Sequence, residues 1–288
     1  MTRVGVSTWV WASPLGDATL ARLAAKVSSW GFEVLELPIE NPGDWNPGRA
    51  AAVLADNGLG ATTCLVTSPG RELVAADAAT VRSTQDYLRH CVDVAAEVGA
   101  PTVGGPAYAS VGRTWRMSAA ERSAVHDELR QNLAPVVEHA AAAGVVLAVE
   151  PLNRYETSVL NTVDQALDAL GPLLGPGCGL LLNTYHLNIE ERSVPEAITR
   201  AGAHVAAVQV CGNDCGAPGA GHLDWPAILR ALAGTGYSGP LCIESFTADN
   251  DAIATAASIW RPLAGSQDDL ATTGLAFLRS QLAAQAPV

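Results

Sequence analysis

Short apolar runs and longer Ala- and Leu-rich stretches alternate along the whole chain. The runs are β-branched or otherwise apolar, and the stretches that follow have helical spacing. Eight such pairs can be counted. The runs predict strands over 4–9, 33–38, 60–66, 102–105, 145–150, 178–183, 204–210 and 240–245. The stretches predict helices over 17–30, 47–57, 78–98, 118–143, 163–170, 194–200 and 226–232, with a last one ending near 283. The strands are apolar along their length rather than every second residue, as expected when both faces are covered. Right-handed crossovers between parallel strands then leave an open doubly wound sheet or a closed barrel, and eight regular units favour closure. The predicted fold is one α/β domain over 1–288, a (β/α)8 TIM barrel.

Gly31, Gly58, Gly99, Gly144, Gly202 and Gly236 fall where predicted helices stop and turn back into strands. Those turns are short, whereas the strand-to-helix connections over 105–116, 151–161, 184–193 and 211–225 are longer and richer in polar and aromatic residues. Chemistry is expected at that second end. A net charge of −12, with 17 basic against 29 acidic residues, disfavours a nucleic-acid partner. No run of 18 apolar residues is present, and the opening segment lacks a signal-like core and cleavage site, so a cytoplasmic protein with no membrane partner is expected. Four of the six cysteines (Cys64, Cys91, Cys178 and Cys242) lie in apolar runs and read as small core residues of a reducing compartment.

Four predicted strands end on polar residues: Glu150 in VLAVEPLNRYE, Asn183 in GLLLNTYHLNIEE, Gln209 in AAVQVCGNDCG and Glu244 in LCIESF. In a barrel such positions converge on the axis at one rim. A carboxylate ending a buried strand costs desolvation energy unless a metal, substrate or hydrogen-bond partner meets it, and two of them point to a site.

With these residues in place the chain resembles the D-tagatose and D-psicose 3-epimerases within the xylose-isomerase-like sugar isomerases. The resemblance is carried by VSTWVWASPL, LELPIENP, GAPTVGGPAY, VEPLNRYETSVLNT, TYHLNIEE, GAPGAGHLDW and IESF. It implies a bound divalent metal, a proton removed beside a ketose carbonyl and a proton returned to the opposite face. Glu150 and Glu244 match the paired carboxylates that bind the metal and act as acid and base. Glu156 and His186 match positions that contact the sugar. The resemblance also implies dimers or tetramers.

Three positions depart from that pattern. Asn183 stands where the family has a metal-binding Asp, Gln209 where it has a metal-binding His, and Cys215 where it has a substrate-gripping Arg. The metal set becomes Glu150, Asn183, Gln209 and Glu244, two carboxylates and two amides. Hard cations such as Mg, Mn or Ca, or Co, accept amide oxygens, but weak binding or none is expected. Without a metal, one carboxylate of the pair holds a proton and the other does not, giving a general acid and a general base, while Asn183 and Gln209 donate hydrogen bonds to substrate oxygens. The function expected is therefore a sugar isomerase or epimerase acting on a ketose or keto-sugar derivative. The alternatives are a lyase-type carbon-acid enzyme using the same pair, by elimination, dehydration or glycosidic cleavage, and a noncatalytic sugar-binding barrel.

Smaller signals fill in the picture. Trp9 and Trp11 flank the end of the first strand, where alternation points both rings the same way, as pocket lining or as plain packing. Tyr108 and Trp115 in the loop after the fourth strand are similar candidates. Cys211, Cys215 and His222 lack a fourth ligand for zinc, and Cys215 has no evident base to make it a nucleophile. Asp224 reads as a helix N-cap. No G-x-G-x-x-G run opens a helix after the first strand, so NAD is not expected. Arg154 and Arg192 are the obvious cations of the late loops, too few for a phosphorylated substrate.

Overall fold

In the computed structural model, which describes residues 2–285, the eight strands close into a parallel barrel in sequence order. They are β1 (Val4–Ser7), β2 (Val34–Ile39), β3 (Gly60–Leu65), β4 (Thr102–Gly105), β5 (Val146–Val149), β6 (Cys178–Asn183), β7 (Val205–Val210) and β8 (Leu241–Ile243). Closure is made by β8 against β1, with Val4 opposite Leu241 and Val6 opposite Ile243. The outer layer is formed by α1 (Asp17–Trp30), α2 (Pro47–Asp56), α3 (Ala78–Val98), α4 (Ala119–Ala143), α5 (Val163–Leu170), α6 (Thr184–Glu190), α7 (Val194–Ala201), α8 (Trp225–Thr235), α9 (Asp251–Ala256) and α10 (Gln267–Ala284).

Four of the six predicted glycine stops hold in detail, while α2 is closed by Asn57 ahead of Gly58 and Gly202 ends α7 outside the left-handed helical conformation. Gly31, Gly99, Gly144 and Gly236 take the left-handed conformation that closes α1, α3, α4 and α8. Helix starts are equally local: Ser118 and Thr162 form reciprocal capping boxes with Glu121 and Gln165, and Asp224 accepts from the Ala227 amide at 3.0 Å. Inside the barrel, Gly104 leaves room for a neighbour, since a Cβ there would lie 2.3 Å from Leu181 Cδ1. A leucine on β6 thus fills the space that β4 vacates, the large-beside-small packing a closed barrel needs.

Three readings of the sequence are corrected. The first strand was expected to reach residue 9 but stops at Ser7. The Ser7 hydroxyl accepts the Trp9 amide at 3.3 Å and turns the chain into a single 3-10 turn over Thr8–Val10. The connection over 184–193, read as a loop, contains α6, because the Asn183 side chain caps it. The chain after β8 also carries α9, capped by Asn250. All six cysteines are free and buried, and among the described residues no helix is long and apolar enough to cross a membrane.

Candidate active site at the strand ends

The barrel brings Glu150, Asn183, Gln209 and Glu244 together. Asn183 and Gln209 are register partners on β6 and β7. Glu150 and Glu244 stand one residue beyond β5 and β8, where their amides still continue the ladder, to the Gly105 carbonyl at 3.0 Å and the Val210 carbonyl at 3.1 Å. All four side chains are buried. A fifth joins them from below: Glu36 on β2, flanked by Leu35 and Leu37, accepts from Gln209 Nε2 at 2.9 Å. Sequence reading missed Glu36, although a carboxylate inside the apolar run LELPI was the signal available.

The direction of each hydrogen bond follows from donors that cannot reverse. The backbone N–H of Tyr185 donates to Asn183 Oδ1 at 2.9 Å, so the NH2 of Asn183 faces the barrel axis. It donates to Glu244 Oε2 at 2.6 Å and to Gln209 Oε1 at 3.3 Å. Gln209 then turns its own NH2 to Glu36. The same logic fixes His186. The backbone N–H of Asn153 donates to its Nδ1 at 3.2 Å, so the ring proton sits on Nε2, which lies 3.5 Å from Glu150 Oε1. Asn153 also spans His186 Nδ1 at 3.0 Å and Glu156 Oε1 at 2.7 Å, and it too went unremarked in the sequence. Among the described residues Glu150 Oε1 is buried with no hydrogen-bond partner.

Burial dominates the electrostatics. It holds His186 neutral, with its pKa pushed down to about 3. Burial, then the charge of Glu244, lifts the Glu150 carboxyl well above the usual carboxylate range. Burial, then the charge of Glu36, raises Glu244 to about 8, against a pull downward from the Asn183 N–H. Burial likewise raises Glu36 to about 7 and lifts Glu156.

These donors do not fit the divalent ion that the resemblance implies. The Asn183 oxygen is taken by the cap of α6, which leaves its NH2 facing the axis, and the Gln209 oxygen accepts that NH2, so both expected amide ligands have their oxygens engaged in hydrogen bonds. Among the described residues no cluster of three or more His, Cys, Asp or Glu side chains is placed to hold a metal. Cys211 and Cys215 lie in a small apolar cluster with Ala254 and Ile259, while His222 is exposed and pairs with Asn188.

The aromatic candidates separate. Trp9 is buried, stacks on Phe246 at 5.6 Å and donates through Nε1 to Glu40. Trp11 does not share its direction, because the 3-10 turn breaks the alternation. Its ring lies against Trp30 and its Nε1 donates to Asp268, which draws it to α1 and α10. Tyr108 has no exposed surface and donates its hydroxyl to the Glu150 carbonyl, supporting the strand end from behind. Trp115 packs under the Arg113 guanidinium. A cavity of about 550 Å³ opens at the opposite end of the barrel, lined by Arg3, His204 and Tyr237 and reaching up to Glu36, but the convergent polar groups are at the strand ends.

A closed parallel barrel with buried carboxylates gathered at its C-terminal rim is the architecture of a barrel enzyme. The chain belongs to the xylose isomerase-like TIM barrel family, whose model matches residues 24–281, and it is an isomerase-class enzyme. It is 30% identical over 284 residues to a ketose 3-epimerase of Arthrobacter globiformis, covering 98% of this chain and 97% of that protein. It is 31% identical over 283 residues to an L-ribulose 3-epimerase of Mesorhizobium japonicum, covering 96% and 93%. Among solved structures, an L-ribulose 3-epimerase superposes with a TM-score of 0.91 at 30% identity, covering 99% and 95%. A D-allulose 3-epimerase of Methylomonas in complex with D-allulose gives 0.88 at 26%, covering 98% of each chain.

Proposed function

We propose that this protein epimerises an unphosphorylated ketose at the carbon beside its carbonyl, using Glu150 and Glu244 as the acid–base pair and no divalent ion at the strand ends. The observation that carries this reading is the inequality of the two buried carboxylates. Glu244 receives an N–H from Asn183, which favours its ionised form, whereas Glu150 Oε1 has no hydrogen-bond partner among the described residues. Glu244 is thus the first of the pair to lose its proton and the base of the active form, populated as pH rises towards about 8, while Glu150 keeps its proton as the donor, an acid and a base separated by environment.

Glu244 takes the proton from the carbon, and the C–H electron pair moves into the new carbon–carbon double bond as the carbonyl pair moves to oxygen. The Nε2–H of His186 is the neutral donor available to that oxygen. Glu150 then delivers its proton to the other face as the oxygen's electron pair restores the carbonyl. After one turnover Glu244 is protonated and Glu150 ionised, the arrangement required for the reverse reaction, so one site serves both epimers. Arg154 is held by Glu190 at 2.9 and 3.1 Å and Arg113 by Glu72 at 2.8 Å, so these cations are engaged with carboxylates rather than offered to a phosphate.

The test is incubation of D-allulose, D-fructose, D-tagatose and L-ribulose in deuterated water with chelator present. Deuterium incorporated at the carbon beside the carbonyl, together with the epimeric product, supports the reading. Incorporation with loss of a β-substituent instead favours a lyase, and binding without exchange favours a sugar-binding barrel.

A further inference from the structure

Glu36 is a buried carboxylate beside the site that the proton transfer does not use. It sits at an inward position of β2 between two leucines, is 3% exposed, and a leucine there would spare the barrel the cost of burying a charge. It accepts the Gln209 NH2 from β7, across the barrel from its own strand, and Ser7 on β1 and Cys64 on β3 lie near enough to pull its pKa down against burial.

This matters because a glutamine amide turned through half a revolution exchanges its oxygen and nitrogen with almost no change of shape. Packing alone cannot tell the two orientations apart. If Gln209 were reversed, its oxygen would face the Glu36 carboxylate and its NH2 would face the NH2 of Asn183. Both contacts would set like against like in a buried space, where an unpaired polar group costs the most. The direction of Asn183 is independently set from above by the Tyr185 amide. A continuous chain results, Tyr185 N–H to Asn183, Asn183 NH2 to Gln209, Gln209 NH2 to Glu36, with the second hydrogen of Asn183 on Glu244.

We infer that Glu36 is a positioning residue of the site: by accepting the Gln209 NH2 it turns the Gln209 oxygen to the Asn183 NH2, steadying the amide whose other hydrogen meets the Glu244 carboxylate. The inference rests on the reading of Glu244 as the base. Glu36 acts on the site through Gln209, whose oxygen it leaves facing the Asn183 NH2.

The experiment compares the intact wild-type chain with Glu36→Gln and Glu36→Met. Side-chain amide resonances of Asn183 and Gln209 are assigned in an isotope-labelled sample, and kcat and KM are measured for whichever ketose is epimerised. Glu36→Gln still offers an oxygen to Gln209, so its amide resonances and its kcat are expected to stay near wild type, within about three-fold. Glu36→Met offers none. The Gln209 resonances should move and kcat fall by about ten-fold or more, with KM changed less than about two-fold. An unmoved Gln209 amide in Glu36→Met, a moved amide with unchanged kcat, or a ten-fold loss in Glu36→Gln overturns the inference. If the methionine variant fails to fold, the glutamine variant still decides through its kcat and its amides. A wild type that turns over no ketose overturns the epimerase reading alone, and the amide resonances then decide whether Glu36 orients Gln209.

Discussion

The Asn183 carbonyl oxygen accepts the backbone N–H of Tyr185 at 2.9 Å, and this one bond caps α6 while turning the Asn183 NH2 onto Glu244. A local helix-start rule thereby decides which group Asn183 turns to the barrel axis. An Asp at the same position would keep the cap with one oxygen and leave the other free for a cation, whereas an Asn leaves only N–H.

The metal preference should therefore be convertible. Asn183→Asp combined with Gln209→His restores a carboxylate and an imidazole beside two carboxylates, the donor types that Mn and Co accept. The double variant is expected to hold about one equivalent of Mn by elemental analysis and calorimetry, while wild type keeps its activity through chelation. Stoichiometric metal in the chelated and dialysed wild type would contradict this.

Glu150→Gln and Glu244→Gln remove a proton donor and a proton acceptor without changing size. Each is expected to lower kcat by about 10²–10⁴-fold. Thermal unfolding should be unchanged or raised, because a buried charge with imperfect partners is also removed. Near-wild-type turnover in either variant would remove that carboxylate from the reaction.

Stability should fall as pH rises across the neutral range. Burial lifts Glu244 to about 8 and Glu36 to about 7, while in the unfolded chain both return to an ordinary value of about 4.3. Between those values the native state holds more protons than the unfolded chain. The stabilisation is complete below the unfolded value and is lost as pH climbs through the folded ones. Urea midpoints at about pH 5, 6.5 and 8 should decline in that order, and Glu244→Gln should flatten the slope. A wild-type midpoint that climbs over this range is incompatible with carboxylates buried as described.

Glu72 ties the loops of the site's rim together. It is buried and accepts from the Ser110 amide at 3.1 Å, the Ser110 hydroxyl and the Arg113 guanidinium at 2.8 Å. Glu72→Ala leaves these donors unmet, and a loss of about 1–3 kcal/mol is expected in equilibrium unfolding. Arg113 is a third exposed on its side chain, which limits the ion-pair share of that loss. A change under about 0.5 kcal/mol would show that the loop is held by its other contacts.

Much of this molecule is legible one segment at a time. The strand cores, the αL glycines after α1, α3, α4 and α8, and the Asp224 cap depend on side chains within a few residues of one another, so period and capping chemistry suffice to place them. Glu150, Asn183, Gln209 and Glu244 were legible for a related reason: each ends an apolar run, and a closed barrel sends all such ends to one rim.

What only the tertiary structure decided is direction and depth. Whether Asn183 offers oxygen or nitrogen depends on α6, which the sequence disguised as a loop. Whether Trp11 lines a pocket depends on a 3-10 turn that breaks alternation after Ser7 and on Asp268, 257 positions away. Glu36 and Gln209 are 173 residues apart and meet only because the barrel closes between β8 and β1. Hydrogen-bond polarity is a property of neighbours in space, and the barrel makes neighbours of residues that no sequence window contains.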